Sequence, residues 1–162
     1  MIVHPFPPLY NRDSKVLILG SFPSVRSREA MFFYGHPQNR FWKVIAALFD
    51  EPVPQSIPEK KALILDHGLA LWDSIASCEI KGSSDASITD AVPTDLSEIL
   101  ENSAVQRIFC NGTRSFEMYR KYQLPRTGIE AVKLPSTSPA NAACSLDKLI
   151  DAWKVIGLHT GG

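Results

Sequence analysis

The sequence predicts a three-layer α/β/α domain built on a central four-stranded parallel sheet, and three observations predict it. Four short apolar runs, each suited to a strand buried on both faces, are separated by segments of helical character. Each run ends at residues that turn the chain: Gly20, Asp73, Asn111-Gly112 and Pro135. The connections are long enough to hold helices, and strands joined in that way lie parallel with helices on both faces. A chain of 162 residues, 44% hydrophobic and 21% charged, suits one domain that buries roughly two thirds of its unfolded surface.

Residues 1–14 carry Pro5, Pro7 and Pro8 and read as an extended arm. The domain proper spans 15–156 and opens with 15–19 (KVLIL) as the first central strand. Residues 39–49 set Phe41, Ile45, Leu48 and Phe49 along one helical stripe. Pro58 in a first turn and Gly68 just past a last turn bracket a second helix. Residues 69–72 form a second strand, and 74–93 a polar loop in which Asp85 and Asp90 read as turn formers. Thr94 is placed as the N-cap of a helix running to Glu101. A third strand at 105–110, a helix at 113–122, a fourth strand at 131–134 and a closing helix at 145–156 complete the domain, with 157–162 a loose tail. Trp42, Trp72 and Trp153 fall on core-facing positions.

Lys and Arg together number 17, as do Asp and Glu, so the formal net charge is zero. No global basic excess drives counterion release from a phosphate backbone, although a local DNA face needs none. Cys78, Cys110 and Cys144 lie more than thirty residues apart. That spacing argues against a disulfide framework or a zinc ribbon and reads as buried thiols in a reducing, cytoplasmic setting. No stretch approaches a membrane span, and the first twenty residues lack the pattern of a secretion signal. Neither a phosphate loop nor a hydrolase elbow nor a zinc-deaminase signature is present, so no metal and no cofactor is expected.

In parallel sheets ligands bind beyond the carboxyl ends of the strands, which brings 20–24, Asp73, Asn111-Gly112 and 135–141 to one rim. Gly20-Ser21-Phe22-Pro23-Ser24 is either a tight turn or a loop whose N–H groups bind anions or base carbonyls. In 33–42 (FYGHPQNRFW), Asn39 reads as a helix cap or a functional amide, Tyr34 offers a flat face for stacking, and Arg40 a fork for a phosphate or carboxylate. In 134–141 (LPSTSPAN), Ser136, Thr137 and Ser138 lie either in a rigid connection or in a stiff loop that holds phosphates through hydroxyls and amides. His36 stands evenly between a structural hydrogen bond and a substrate contact, His67 reads as a helix-dipole partner, and Arg26 and Arg28 as solvated surface.

In this order and spacing, GSFPS at 20–24, YGHPQNRFW at 34–42 and LPSTSP at 134–139 resemble the uracil-DNA glycosylase superfamily, most of all its hypoxanthine-DNA glycosylase branch. The resemblance spans 15–156 and implies a uracil-DNA glycosylase-like fold acting on DNA. It implies that Asn39 handles the attacking water and that Asn111 is a further functional amide. It sets Tyr34 at the stacking position, and Asp73 where a base-reading Asn or Asp sits. Two departures stand out. Phe22 occupies the place of the catalytic Asn of mismatch-specific relatives, and Leu134-Pro135-Ser136 replaces His-Pro-Ser, removing an imidazole from that loop.

The expected activity is hydrolysis of the N-glycosidic bond of deaminated bases in DNA, hypoxanthine first, by a monomer that leaves an abasic site. The anomeric carbon is shielded in a duplex, so the nucleotide must be extruded. Tyr34 then stacks on the base, while Asn111, Asp73 and the amides around Ser21 and Phe22 meet its edge. Ser21, Ser24, Ser136 and Ser138 grip flanking phosphates, 137–140 fills the gap, and Asn39 orients a water. No Lys is placed for a Schiff base. Three other readings stay open: a uracil- or mismatch-specific glycosylase, an inactive damaged-DNA-binding module suggested by Phe22, and a hydrolase of free nucleosides.

Overall fold

The first apolar run is hydrophobic along its length because both of its faces are covered: Val16, Leu17, Ile18 and Leu19 expose no surface. The computed structural model, which describes residues 1–81 and 85–160, makes this run the middle of a parallel sheet. In chain order the elements are β1 (Ile2–Val3), β2 (Val16–Gly20), α1 (Val25–Ala30), α2 (Phe41–Leu48), α3 (Ile57–Leu65), β3 (Leu69–Asp73), β4 (Ile75–Glu79) and β5 (Thr89–Pro93). They continue with α4 (Ser97–Glu101), β6 (Arg107–Asn111), α5 (Thr113–Met118), α6 (Leu124–Thr127), β7 (Ala131–Leu134), α7 (Leu146–Trp153) and α8 (Gly157–Thr160).

The main sheet has the order β3-β2-β6-β7 with every neighbouring pair parallel. Side chains alternate across its faces. Val16 and Ile18 pack with Phe41, Ile45, Ile64, Leu149 and Trp153 from α2, α3 and α7. Leu17 and Leu19 pack with Ile99 of α4 and with Tyr119. Two apolar layers on opposite faces of one sheet are the three-layer arrangement that the alternating runs predict. Among the described residues no helix is long and apolar enough to cross a membrane.

Four details differ from the sequence expectation. The polar loop at 74–93 contains β4 and β5, which join β1 in a second, antiparallel sheet of order β1-β4-β5. Its strands are short and interrupted by register shifts, so they carry little periodic signal; they are held by Phe22, Ile75, Cys78, Ile88 and Met118 beneath them. Residues 82–84 and the side chain of Asp85 lie outside the description. Thr94 is no N-cap. It is buried, its hydroxyl donates to the Asp73 carbonyl at 2.8 Å, and Asp95 instead accepts from the Ser97 N–H at 2.9 Å as α4 begins.

The helix after β6 passes from α5 through a π turn at Tyr119–Gln123 into α6. There Gln123 is buried and its Nε2 donates to the carbonyls of Ser74 and Thr94. The tail is helical through Thr160. Among the described residues no disulfide joins the three cysteines. Cys78 and Cys110 are buried, with burial pushing the Cys110 thiol up to about 12, whereas Cys144 is only half-buried.

The amino-terminal arm is stitched to the domain. β1 pairs with β4, His4 donates its N–H to the Ala76 carbonyl at 2.8 Å, and Leu9 exchanges backbone hydrogen bonds with Leu71. Phe6 and Leu9 join the core between these anchors.

Candidate active site

The chain leaves β2 for β3 on one side of the sheet and returns to build β6 on the other. Such a switch point opens a crevice at the carboxyl ends of the strands. A cavity of ≈ 1110 Å³ occupies it, and ten of the eleven residues expected at the site line it; Arg40 is the exception.

Asn39 lies just before α2, and its side chain is held from both directions. Its carboxamide oxygen accepts from the Phe41 N–H at 2.9 Å and from the Thr137 hydroxyl at 2.8 Å. Backbone geometry dictates this orientation, since a peptide N–H only donates and the atom facing it must be Oδ1. The same logic fixes Asn111. The Thr137 N–H donates to Asn111 Oδ1 at 3.0 Å, so Asn111 Nδ2 donates to Thr137 Oγ1 at 3.0 Å, and the Thr137 proton is sent on to Asn39. The N-cap position of α2 is Arg40, and Asn39, one residue earlier, satisfies the first helical N–H from outside the cap. Both Oδ1 lone pairs of Asn39 are in use, while its Nδ2 has no protein partner among the described residues and the residue lines the cavity. Asn39 presents donors, not acceptors.

Tyr34 adopts a left-handed conformation, φ +52°, which costs a non-glycine residue of order 1 kcal/mol or more. The turn is bracketed by Gly35, whose N–H donates to Ser27 Oγ at 2.8 Å and where a Cβ would meet the α1 backbone at 3.2 Å. This conformation lays the ring on Phe41 at the cavity wall, centroids 3.9 Å apart and 16° from parallel. Asp73 ends β3 directly across from Gly20. A Cβ on Gly20 would lie 2.4 Å from Asp73 Oδ1 and 3.1 Å from Tyr34 Oη, so this glycine lets a carboxylate and a phenol converge. Asp73 Oδ2 contacts His4 Nε2 at 2.6 Å, with both side chains almost sealed from solvent.

The family model of the uracil DNA glycosylase superfamily matches residues 7–156. The chain belongs to that superfamily. It is 32% identical over 160 residues, 98% of this chain and 100% of the relative, to a protein of Methanosarcina acetivorans named hypoxanthine DNA glycosylase. A protein of the same name from Methanosarcina barkeri is 33% identical over 140 residues, 84% of this chain and 86% of its own. A solution NMR structure from M. acetivorans, described as a candidate uracil DNA glycosylase, superposes with a TM-score of 0.84 at 30% identity, covering 99% of both chains.

Within this superfamily member the polar loop residues divide by where their hydroxyl protons go. Ser24 caps α1 and donates to Ser27 Oγ at 3.1 Å, and Thr137 is fully buried and donates to Asn39, so neither keeps a proton for a phosphate. Ser136 and Ser138 accept from the Ser138 and Ala140 N–H groups at 3.1 Å each, which leaves both hydroxyls able to donate outward. Arg40, read from the sequence as a fork for a phosphate, instead grips its own chain: its guanidinium donates to the carbonyls of Cys144, Ser138 and Asn141. It pins the loop after β7 against α2. Ser21 and Phe22 are buried and line the cavity, and Phe22 also packs on the small antiparallel sheet. His36 lines the cavity, and its Nδ1 accepts from the Gln38 N–H. His67 stacks on Phe49 and faces Glu51 at 3.5 Å.

Sequence reasoning missed His4, and it missed Arg114, Glu117 and Lys133 on the cavity wall. Arg114 and Glu117 lie on α5 and Lys133 on β7, where a charge looks in the sequence like any solvated residue, although Arg114 is half-buried and its Nη2 donates to the Ile88 carbonyl. For His4 there was a faint signal, a lone His in an arm whose Phe6 and Leu9 need a core to cover them.

Thr137→Val keeps the shape of the buried side chain but breaks the relay at its centre. It is expected to lower stability by roughly 1–3 kcal/mol, because the Asn111 amide loses its acceptor. The freed Asn39 amide should slow base release about tenfold. Thermal unfolding and single-turnover cleavage read the two effects separately, and an unchanged rate would show that the relay holds the loop without serving the chemistry.

Proposed function

We propose that this protein is a DNA glycosylase that releases hypoxanthine from deoxyinosine and leaves an abasic site. One observation carries the reading: an uncharged carboxamide, locked so that only its N–H groups are unspent, lines the same cavity as an aromatic ring and a strand-end carboxylate. The two relatives named hypoxanthine DNA glycosylase support the choice of base.

In the reaction a water oxygen bonds to C1′ and sheds a proton to solvent, the C1′–N9 bond breaks, its electron pair stays on the purine, and the base takes up a proton from solvent in its place. Asn39 holds the water through an Nδ2–H donated to its oxygen. It takes no proton, because Oδ1 is already filled, so its contribution is placement. Tyr34 stacks on the extruded purine. Asp73 accepts the lactam N1–H, a donor that hypoxanthine has and adenine lacks. Ser136, Ser138, Arg114 and Lys133 face the flanking backbone. Asn111 acts through Thr137 as a positioning residue. The enzyme works as a monomer, in the cytoplasm, and without a covalent intermediate.

The test compares single-turnover release from duplexes carrying inosine, uracil or xanthine, with free inosine alongside. Inosine DNA is expected to react fastest, to break only after alkali, and to give no borohydride-trapped adduct at Lys133. Faster release of uracil would select the uracil reading. Binding to inosine DNA without release would select an inactive module, and turnover of free inosine alone a nucleoside hydrolase.

A further inference from the structure

We infer that His4, delivered by the amino-terminal arm, is a positioning residue that aims Asp73 at the base and so sets recognition of the lactam N–H. The inference rests on the proposed role of Asp73 as base acceptor. Asp73 Oδ2 has one protein partner among the described residues, His4 Nε2 at 2.6 Å, while Oδ1 borders Gly20 at the cavity wall and has none. A carboxylate turns freely about its last torsion unless one oxygen is held. His4 supplies that hold, and it cannot itself turn: its ring is boxed by Trp72 at 4.4 Å, Phe6 at 4.6 Å, Phe22 at 5.9 Å and Phe33 at 6.3 Å between centroids.

The other ring nitrogen argues for the same use. His4 Nδ1 is buried and has no hydrogen-bond partner among the described residues. A ring present only to fill an aromatic box would be carried more cheaply as Phe, which buries no orphaned nitrogen. The imidazole is accounted for by what its Nε2 does to Asp73. Because β1 and the His4–Ala76 backbone bond fix where the ring enters, the arm belongs to the site although it lies outside the rim.

The test uses the full chain as wild type, His4→Phe, His4→Gln, Asp73→Ala and the His4→Phe/Asp73→Ala double variant. Two quantities are read: the single-turnover rate of hypoxanthine release, and the affinity for a duplex carrying a tetrahydrofuran abasic analogue, which offers Asp73 no base. His4→Phe is expected to slow release about thirtyfold or more, as a site built around a hydrogen bond does when that bond is lost. Affinity for the abasic duplex should stay within about threefold, since no base contact is involved. His4→Gln, whose amide reaches the same carboxylate oxygen, should recover most of the rate. In the Asp73→Ala background His4→Phe should cost nothing further, because groups acting through one contact are not additive. Parallel loss of rate and affinity, no recovery by Gln, or additive losses in the double variant would overturn the inference and make His4 a packing residue. If His4→Phe does not fold, the same pair of readings is taken from His4→Leu. Wild type that releases no base overturns the glycosylase reading, and this inference with it.

Discussion

Asn39→Asp is expected to leave the protein folded and to slow hypoxanthine release by about a hundredfold, the scale seen when one well-placed donor is removed. One carboxylate oxygen still accepts from the Phe41 N–H and the Thr137 hydroxyl, so the start of α2 and the loop after β7 keep their tether. The other oxygen replaces the Nδ2 donors with lone pairs. Asn39→Ala removes both functions: it should lose a comparable amount of rate and also about 1–3 kcal/mol of stability, as the Phe41 N–H and the Thr137 proton lose their acceptor. Single-turnover rates and thermal unfolding on the two variants separate donor from tether. A rate for the Asp variant equal to or above wild type would show that this position is needed as an acceptor of water protons, and the donor assignment would be wrong.

Gly20→Ala is the second large effect. The added methyl would lie 2.4 Å from Asp73 Oδ1 and 3.1 Å from Tyr34 Oη, inside contact distance of the two groups proposed to hold the base. Neither can yield without cost. Asp73 is tied to His4, and Tyr34 is stacked on Phe41. A displacement approaching 1 Å costs on the order of a hundredfold in rate, and that loss is expected here. Gly157→Ala, where no described residue lies within 4 Å of the new methyl, is the matched control and should behave as wild type in the same assay. Near-normal activity of Gly20→Ala would mean that the convergence of Asp73 and Tyr34 is not used.

Both variants turn on contacts made at positions legible in the sequence, yet the contacts themselves were not. Gly20, Asp73, Asn111 and the loop after β7 fall at the ends of apolar runs, and the ends of parallel strands share one edge, so their meeting follows from local pattern and the handed winding of the sheet. That Asn39 meets the start of a helix was likewise readable from its place before a helical stripe, although the N-cap itself is Arg40 and Asn39 reaches the Phe41 N–H from one residue earlier. What lies between those positions follows another rule. Thr137 looked like a phosphate contact because hydroxyls between prolines suit that task, but it is buried with its proton committed to Asn39. Arg40 looked like a phosphate fork, but three carbonyls of the loop it faces were nearer. The small antiparallel sheet escaped notice because two of its three strands are broken by register shifts and the third has two residues.

The layered parallel sheet and the rim on which the site sits are written in the residue pattern, because hydrophobic periodicity is a local property and a strand buried on both faces must be apolar throughout. The pairing of His4 with Asp73, 69 residues apart, and of Asn39 with Thr137, 98 apart, arises from packing. The reason is directional: composition states how many donors and acceptors a chain carries, whereas a hydrogen bond exists only where packing brings one of each within about 3 Å and in line.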